Sequence, residues 1–354
     1  MVEKWECEFL KEKNFSKNEM MKMKRNFYSF TSLEPRDALY GGRTSPACLF
    51  KEVKENEKKF YVDFTSLYPF VQKTKKFPTG HPQIYIKDEC KQCHIKNMFG
   101  LVKCRILPPR NLYFPVLPVR CEGKLLFPLC YTCASTTCLD DCIHNEDERS
   151  LIGTWTTIEV NKAIEYGYRM CEIYEIYHFS RQEKFFSEYV NCFLKIKQEA
   201  SGFPPECYDS VGTLVDEKVD KYIKDYYYNE GIQLDKENIK YNPGLRTIAK
   251  NILNALWGKF AQNENNTKVE FLSEYDELLN LANDKNIELT SVDFVNESVT
   301  HVTYKKKEVI NVSLKTGNVI VASFVTAYAR LELFNLIDKL QKKVLYFDTD
   351  SVIY

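Results

Sequence analysis

The stretch Lys343-Val344-Leu345-Tyr346-Phe347-Asp348-Thr349-Asp350-Ser351-Val352-Ile353-Tyr354 decides how the rest of the chain is read. Apolar and aromatic residues run up to Phe347 and resume at Val352, which predicts a β-hairpin with Asp348, Thr349 and Asp350 at its tip. Asp favours turns for local hydrogen-bonding reasons, so an isolated Asp-Thr-Asp reads by itself as a plain solvated loop. A third acid in a similar setting changes that reading. Phe60-Tyr61-Val62-Asp63-Phe64-Thr65-Ser66-Leu67-Tyr68-Pro69 predicts a short buried strand ending at Asp63, then a tight turn in which Ser66 caps a helix. Carboxylates on adjacent strand ends suit Mg²⁺, which takes one or two of them and keeps its other positions for water and phosphate oxygens.

Between these two sites lies Arg246-Thr247-Ile248-Ala249-Lys250-Asn251-Ile252-Leu253-Asn254-Ala255-Leu256-Trp257-Gly258-Lys259-Phe260. Arg246, Lys250, Asn254 and Trp257 fall at helical spacing on one face. Two cations, an amide and an aromatic projecting together form a surface for a triphosphate and a base.

These segments resemble, in order, three motifs of family B DNA polymerases. Residues 63–69 look like D-x-x-S-L-Y-P, residues 246–258 like K-x-x-x-N-S-x-Y-G, and residues 346–351 like Y-x-D-T-D-S. Tyr40-Gly41-Gly42-Arg43-Thr44 is similar to the glycine-containing linker motif of the protein-primed branch, found in Maverick or Polinton-type transposons, linear plasmids and some DNA viruses. Ala255 stands where the family usually has Ser and Trp257 where many members have Tyr, so the lining of the nascent base pair differs in detail.

The resemblance implies an α+β fold: a palm with an antiparallel sheet, helical fingers and a cysteine-rich, zinc-stapled insertion. A thumb and an exonuclease domain are expected to be absent. The implied divisions are an N-terminal extension (1–38), the linker with the first part of the palm (39–80), and further palm with an insertion like the terminal-protein region (81–180). Helical fingers (181–261), a second insertion (262–318) and the palm helix with the catalytic hairpin (319–354) follow.

The implied function is DNA-directed DNA synthesis, adding dNTPs to a primer 3′-hydroxyl by two-metal phosphoryl transfer. Asp63 and Asp350 would hold two Mg²⁺ ions with Asp348 nearby. Ser66, Leu67, Tyr68, Arg246, Lys250, Asn254 and Trp257 would bind the nucleotide, Tyr68 rejecting a 2′-hydroxyl. Tyr40, Gly41, Gly42, Arg43, Gly258, Lys259, Thr349 and Ser351 would contact DNA. Implied partners are template and primer DNA, dNTPs and a terminal priming protein, without a membrane. The competing readings are an inactive truncated remnant that binds nucleotide or DNA weakly, and a zinc-stapled interaction module.

Composition bounds these readings. The 354 residues, 44% hydrophobic and 14% aromatic, suffice for about two domains with a sizeable core. Lys plus Arg equals Asp plus Glu, 49 each, so any nucleic-acid-binding surface must be local. No run of 18 apolar residues and no apolar signal core occur, so an intracellular protein, nuclear or cytoplasmic and not secreted, is expected. Thirteen cysteines argue for a reducing compartment with a metal site. Cys130, Cys133, Cys142 and His144 form the preferred Zn²⁺ set, with Cys138 or Cys121 as substitutes. The Cys-x-His half is unusual in spacing, and free, partly buried thiols are the alternative. Cys90-x-x-Cys93-His94 has no second pair close by and is read as metal-free.

Elsewhere, 1–38 reads as a solvated helix or frayed end with a basic cluster at Lys22, Lys24 and Arg25. Residues 51–59 read as a charged hairpin tip, and Lys73, Lys75 and Lys76 as solvated charges or phosphate contacts. Helices are predicted over 157–168, 182–198, 215–228 and 320–340, with a strand over 171–179. The 215–228 helix is expected to pair with the Arg246 helix as the fingers.

Overall fold

The computed structural model describes residues 23, 27–138, 140–263, 266–307 and 317–354; the Lys22, Lys24 and Arg25 cluster lies outside them. The chain divides into two compact units, Met1–Trp257 with Val319–Tyr354, and Gly258–Asn318. The first unit begins with β1 (Thr44–Pro46), β2 (Tyr61–Asp63), α1 (Leu67–Thr74), β3 (Phe77–Thr79), β4 (Gln83–Ile86), β5 (Gly100–Leu107), β6 (Val119–Cys121) and β7 (Lys124–Leu126). It continues with α2 (Tyr131–Thr136), α3 (Glu146–Arg149), β8 (Leu151–Thr156), α4 (Thr157–Glu165), β9 (Arg169–His178) and β10 (Arg181–Glu183). Helices α5 (Ser187–Glu199), α6 (Asp216–Glu230) and α7 (Pro243–Ala261) follow.

The hairpin β14 (Tyr346–Asp348) and β15 (Ser351–Ile353) is the centre of a four-stranded antiparallel sheet ordered β1-β14-β15-β2. Side chains alternate along each strand, so Phe347 and Val352 enter the core while Asp348 and Ser351 face away from it. Both outer strands pair with the hairpin and not with each other. Residues 51–59 therefore link opposite edges of the sheet and are not a hairpin tip. As an edge strand β2 is exposed along its length, not buried as its apolar character suggested.

A second antiparallel sheet, β4-β9-β5-β8, places the almost wholly buried β5 at its centre. Two of its buried side chains are charged and find partners in the N-terminal segment. The Lys103 ammonium donates to the carbonyl and hydroxyl of Thr31 (both 2.8 Å) and lies 4.0 Å from the Tyr28 ring. The Leu33 amide donates to Glu175 Oε2 at 2.6 Å. Residues 27–38 are thus docked on this sheet instead of forming a frayed end, because buried charges require hydrogen-bond partners.

Helix α9 (Val319–Leu340) runs through the core shared by both sheets, contributing Leu333, Phe334 and Ile337. By length and composition the span Val319–Lys343 would cross a membrane, yet 67% of its apolar window is buried inside the protein, as in a core helix. Helix α5 starts only at Ser187, because β10 pairs with β3 over residues assigned to a helix from sequence. Helix α6 ends on Gly231 at φ +67, a left-handed cap that glycine adopts without strain. Its buried Val219 and Ile223 cluster with Cys207, Ile232, Leu234 and Ile239 and with Leu194 of α5. Gln198 donates to the Tyr222 hydroxyl at 2.7 Å, so the partner that receives its apolar face is α5, not α7.

The second unit is a three-stranded antiparallel sheet, β11 (Lys268–Leu272), β13 (Thr300–Lys306) and β12 (Ile287–Phe294) in that spatial order. Helix α8 (Tyr275–Asn283) sets Leu278 and Leu281 against Leu272, Val302 and Tyr304.

Candidate active site

Register brings the acids together. Asp348 pairs with Ser351 across the hairpin, and Ser351 pairs with Asp63 on β2. Directly opposed residues of an antiparallel sheet share a face, so Asp63 and Asp348 flank Ser351 in one row pointing away from the core. Between the strands, Thr349 adopts a left-handed conformation (φ +49), and the carbonyl of Asp350 accepts from the Phe64 amide at 2.7 Å. Burial first, then the nearby charges of Asp63 and Asp348, push the Asp350 carboxyl above its ordinary range. Crowded carboxylates of this kind fit a divalent cation, whose charge relieves their repulsion.

The segment after β2 connects this row to a cluster of cations. Ser66 stands before α1 in a left-handed conformation (φ +58) and makes no side-chain cap, contrary to the sequence expectation. Its hydroxyl instead faces the Lys197 ammonium of α5 at 3.3 Å. A strained non-glycine residue of this kind costs on the order of 1–3 kcal/mol and concentrates at functional sites. Burial, and then the charges of Arg246 and Lys250 on α7, lower the pKa of Lys197. Arg246 and Lys250 thus lie within electrostatic reach of the Lys197 ammonium that faces Ser66, and Arg246 Nε donates to Ser201 Oγ at 3.1 Å. Tyr68 stacks on Trp257 with ring centroids 4.8 Å apart and 17° between planes. The Tyr68 hydroxyl is within electrostatic reach of Asp350 and Asp348, and burial raises its pKa. Asn254 is exposed on α7, whereas the Leu67 side chain is core, 1% exposed, so only its backbone is free for a ligand.

The linker approaches from the other side. Arg43 accepts at its carbonyl from the Thr349 amide (2.9 Å). A Cβ on Gly42 would stand 2.6 Å from Thr349 Oγ1 and 2.9 Å from Cγ2, so the close approach needs glycine. The Arg43 side chain turns inward, donating to the Pro115 carbonyl (2.7 Å) with its guanidinium 4.2 Å from the Phe127 ring. Burial lowers its pKa to about 9. Tyr40 is likewise buried, its ring against Arg120 and Arg330. Neither side chain is free for a ligand, whereas Gly41 is exposed and Gly42 half-buried.

The profile of DNA polymerase type B, organellar and viral, matches residues 8–206 and 214–342. The chain belongs to this polymerase family. It is 24% identical over 325 residues to a DNA polymerase of Kluyveromyces lactis, covering 90% of this chain and 25% of that protein. It is 23% identical over 317 residues to a probable DNA polymerase of Neurospora intermedia, covering 86% and 26%. The chain thus spans about a quarter of the length of these relatives. Phi29 DNA polymerase complexed with primer-template DNA superposes with a TM-score of 0.50 at 16% identity, over 91% of this chain and 43% of that one, a likeness of fold.

The other residues singled out in this family B chain lie as follows. Ser351 is buried and donates to the Asp348 carbonyl (3.2 Å), and Thr349 donates to Asp348 Oδ1 (3.1 Å), so both hydroxyls orient the acid row. Gly258 and Lys259 belong to the second unit, where Lys259 donates to Gln262 Oε1 at 2.6 Å. Lys73 and Lys75 are engaged by Glu230 and Glu332. Cys130, Cys133, Cys142 and His144 come together apart from the acids, whereas Cys138 is exposed and Cys121 is in the core. Lys197 escaped the sequence reading because it lies in an ordinary amphipathic helix outside any motif.

Proposed function

We propose that this chain supplies the palm and fingers of a protein-primed family B DNA polymerase, extending a primer 3′-hydroxyl with dNTPs on a DNA template. The observation that carries the reading is the joining of an acid row, Asp63, Asp348 and Asp350, to the Lys197, Arg246 and Lys250 cluster through residues 66–68. Membership of the polymerase family and the names of the two relatives support it.

Asp63 and Asp350, with Asp348 beside them, are the groups that would hold Mg²⁺, which when bound supplies charge neutralisation at the attacking and phosphate oxygens. Phosphoryl transfer depends on placement and electrostatics more than on covalent chemistry. Arg246, Lys250 and Lys197 grip the triphosphate, Arg246 with the fork geometry that suits phosphate oxygens. The Tyr68 and Trp257 stack walls the sugar and base, and Tyr68 excludes a 2′-hydroxyl. Asn254 lies against the new pair, and the Gly41 and Gly42 backbone runs beside the template or primer phosphates. A terminal priming protein as partner, replication of a mobile-element or virus-like genome, and an intracellular setting complete the reading.

Primer extension on a primed single-stranded template, with Mg²⁺ and all four dNTPs, tests it against an Asp63→Ala control. Extension by the parent and none by the control is expected; equal extension by both would overturn the assignment. A second variant probes the linker. Gly42→Ala forces Thr349 aside at the turn carrying two of the acids, and misplacement of about 1 Å costs on the order of 10²-fold in rate. A corresponding loss in extension with an unchanged circular dichroism spectrum is expected, and full activity would show that the contact does not position the hairpin.

A further inference from the structure

We propose that Cys130, Cys133, Cys142 and His144 form a closed structural Zn²⁺ site. All four ligand atoms lie within 4.8 Å of one another. His144 Nδ1 stands 3.5 Å from Cys130 Sγ, 3.3 Å from Cys133 Sγ and 3.6 Å from Cys142 Sγ. A tetrahedral zinc with ordinary Zn–S and Zn–N bonds sets its nitrogen about 3.5–3.6 Å from each sulfur, so the imidazole nitrogen already stands at nearly the distance from each thiol that the ion requires. Three soft sulfurs and an imidazole select zinc over the hard cations that suit the acid row. Four protein ligands leave no open position, the mark of a structural site.

Each half of the site has a local cause. Cys130 is the residue before α2, and its sulfur accepts from the Cys133 amide at 3.4 Å, so the helix start turns both thiols toward one point. Residues 142 to 144 have no helical structure. Side chains two apart on an extended segment share a side, which makes Cys-x-His a workable half-site despite its unusual spacing. Three thiolates around Zn²⁺ leave a net negative charge. The Arg110 guanidinium sits against it, donating to the carbonyls of Cys142 (3.2 Å) and His144 (3.0 Å).

The stretch between β7 and β8 needs such a staple. Among its described residues the regular elements are α2 and α3, of 6 and 4 residues. The buried side chains among its described residues, apart from Cys130, are polar: Ser135, Arg149 and Ser150. A metal takes the place of a core in segments of this kind, and its binding energy becomes folding energy. Phe127, three residues before Cys130, stands nearest of the four rings, with Phe114, Phe334 and Phe347, that cage the buried Arg43 guanidinium. The clasp therefore fixes the segment behind the linker and has no role in phosphoryl transfer.

The full chain, purified in reductant without chelator, is expected to carry about one equivalent of zinc by elemental analysis. Exchange with Co²⁺ should give the intense visible bands of a tetrahedral ion together with thiolate charge-transfer absorption. Cys133→Ser and His144→Ala should lose the metal, His144→Cys should retain it as a four-sulfur site, and Cys171→Ser, at an exposed thiol, should change nothing. Chelation should raise amide exchange in the 127–150 segment and leave β14 and β15 protected. A folded parent with no stoichiometric metal and no tetrahedral Co²⁺ spectrum would overturn the site. So would a disulfide among the three cysteines in the reduced protein, or loss of metal in the His144→Cys variant while it remains folded. None of these readings depends on polymerase activity.

Discussion

Asp350→Asn is expected to lower nucleotide addition by on the order of 10³-fold or more and at the same time to raise the thermal midpoint of the metal-free protein. On the proposed function, the activity loss would follow from removing one of the charges that would hold the cation. The stability gain follows from the same crowding. Burial, Asp63 and Asp348 all push the Asp350 carboxyl up, so its charged form is disfavoured in the folded chain. A carboxyl whose folded pKa exceeds the unfolded one costs nothing below the unfolded value, and its cost is complete above the folded value. Parent and variant should therefore melt together in acid, and the parent should fall behind as pH rises through the carboxylate range. Mg²⁺ should stabilise the parent at neutral pH more than the variant. Primer extension and melting curves across pH read both effects; retained extension, or an advantage of the variant that grows toward acid, would defeat the account.

The second large effect concerns stability. Glu159→Ala is expected to destabilise the protein by about 3–5 kcal/mol, because it leaves a buried guanidinium without its counter-charge. Arg330 on α9 and Glu159 on α4 are 3% and 1% exposed. They form a forked pair, Nε to Oε1 at 2.9 Å and Nη2 to Oε2 at 3.0 Å. The remaining nitrogen, Nη1, donates to the carbonyls of Tyr40 (2.7 Å) and Gly41 (2.9 Å), and Thr156 donates to Glu159 Oε2 (3.0 Å). One ion pair therefore ties the core helix, α4 and the linker that reaches the hairpin tip. Replacing both partners, Glu159→Leu with Arg330→Met, should cost less than Glu159→Ala alone, since no charge is then left unpaired. Urea unfolding midpoints test this. A Glu159→Ala variant within 1 kcal/mol of the parent would show that the pair does not hold the linker.

The acid row and the cationic helix face were legible in the sequence because both depend on local periodicity. Period-two alternation sends Phe347 and Val352 inward and Asp348 outward, and helical spacing puts Arg246, Lys250, Asn254 and Trp257 on one side, whatever the rest of the chain does. The convergence of two cysteines and a third with a histidine was visible as spacing, and the set preferred on that basis, with Cys142 in place of Cys138, is the one the fold brings together. Tertiary structure decided everything that depends on where a side chain finds a partner. Lys197 joins the cations only because α5 packs beside α1. Ser66 is left-handed, and bonds Lys197 instead of capping its own helix, for the same reason. Arg43 and Tyr40 look like DNA contacts in sequence, yet an aromatic cage and a buried ion pair draw them inward. The segment at 27–38 reads as a loose end until the buried charges of Lys103 and Glu175 claim its backbone. Local patterns carry the side-chain period, but pairing over a hundred or more residues is settled by desolvation, which no short stretch of sequence encodes.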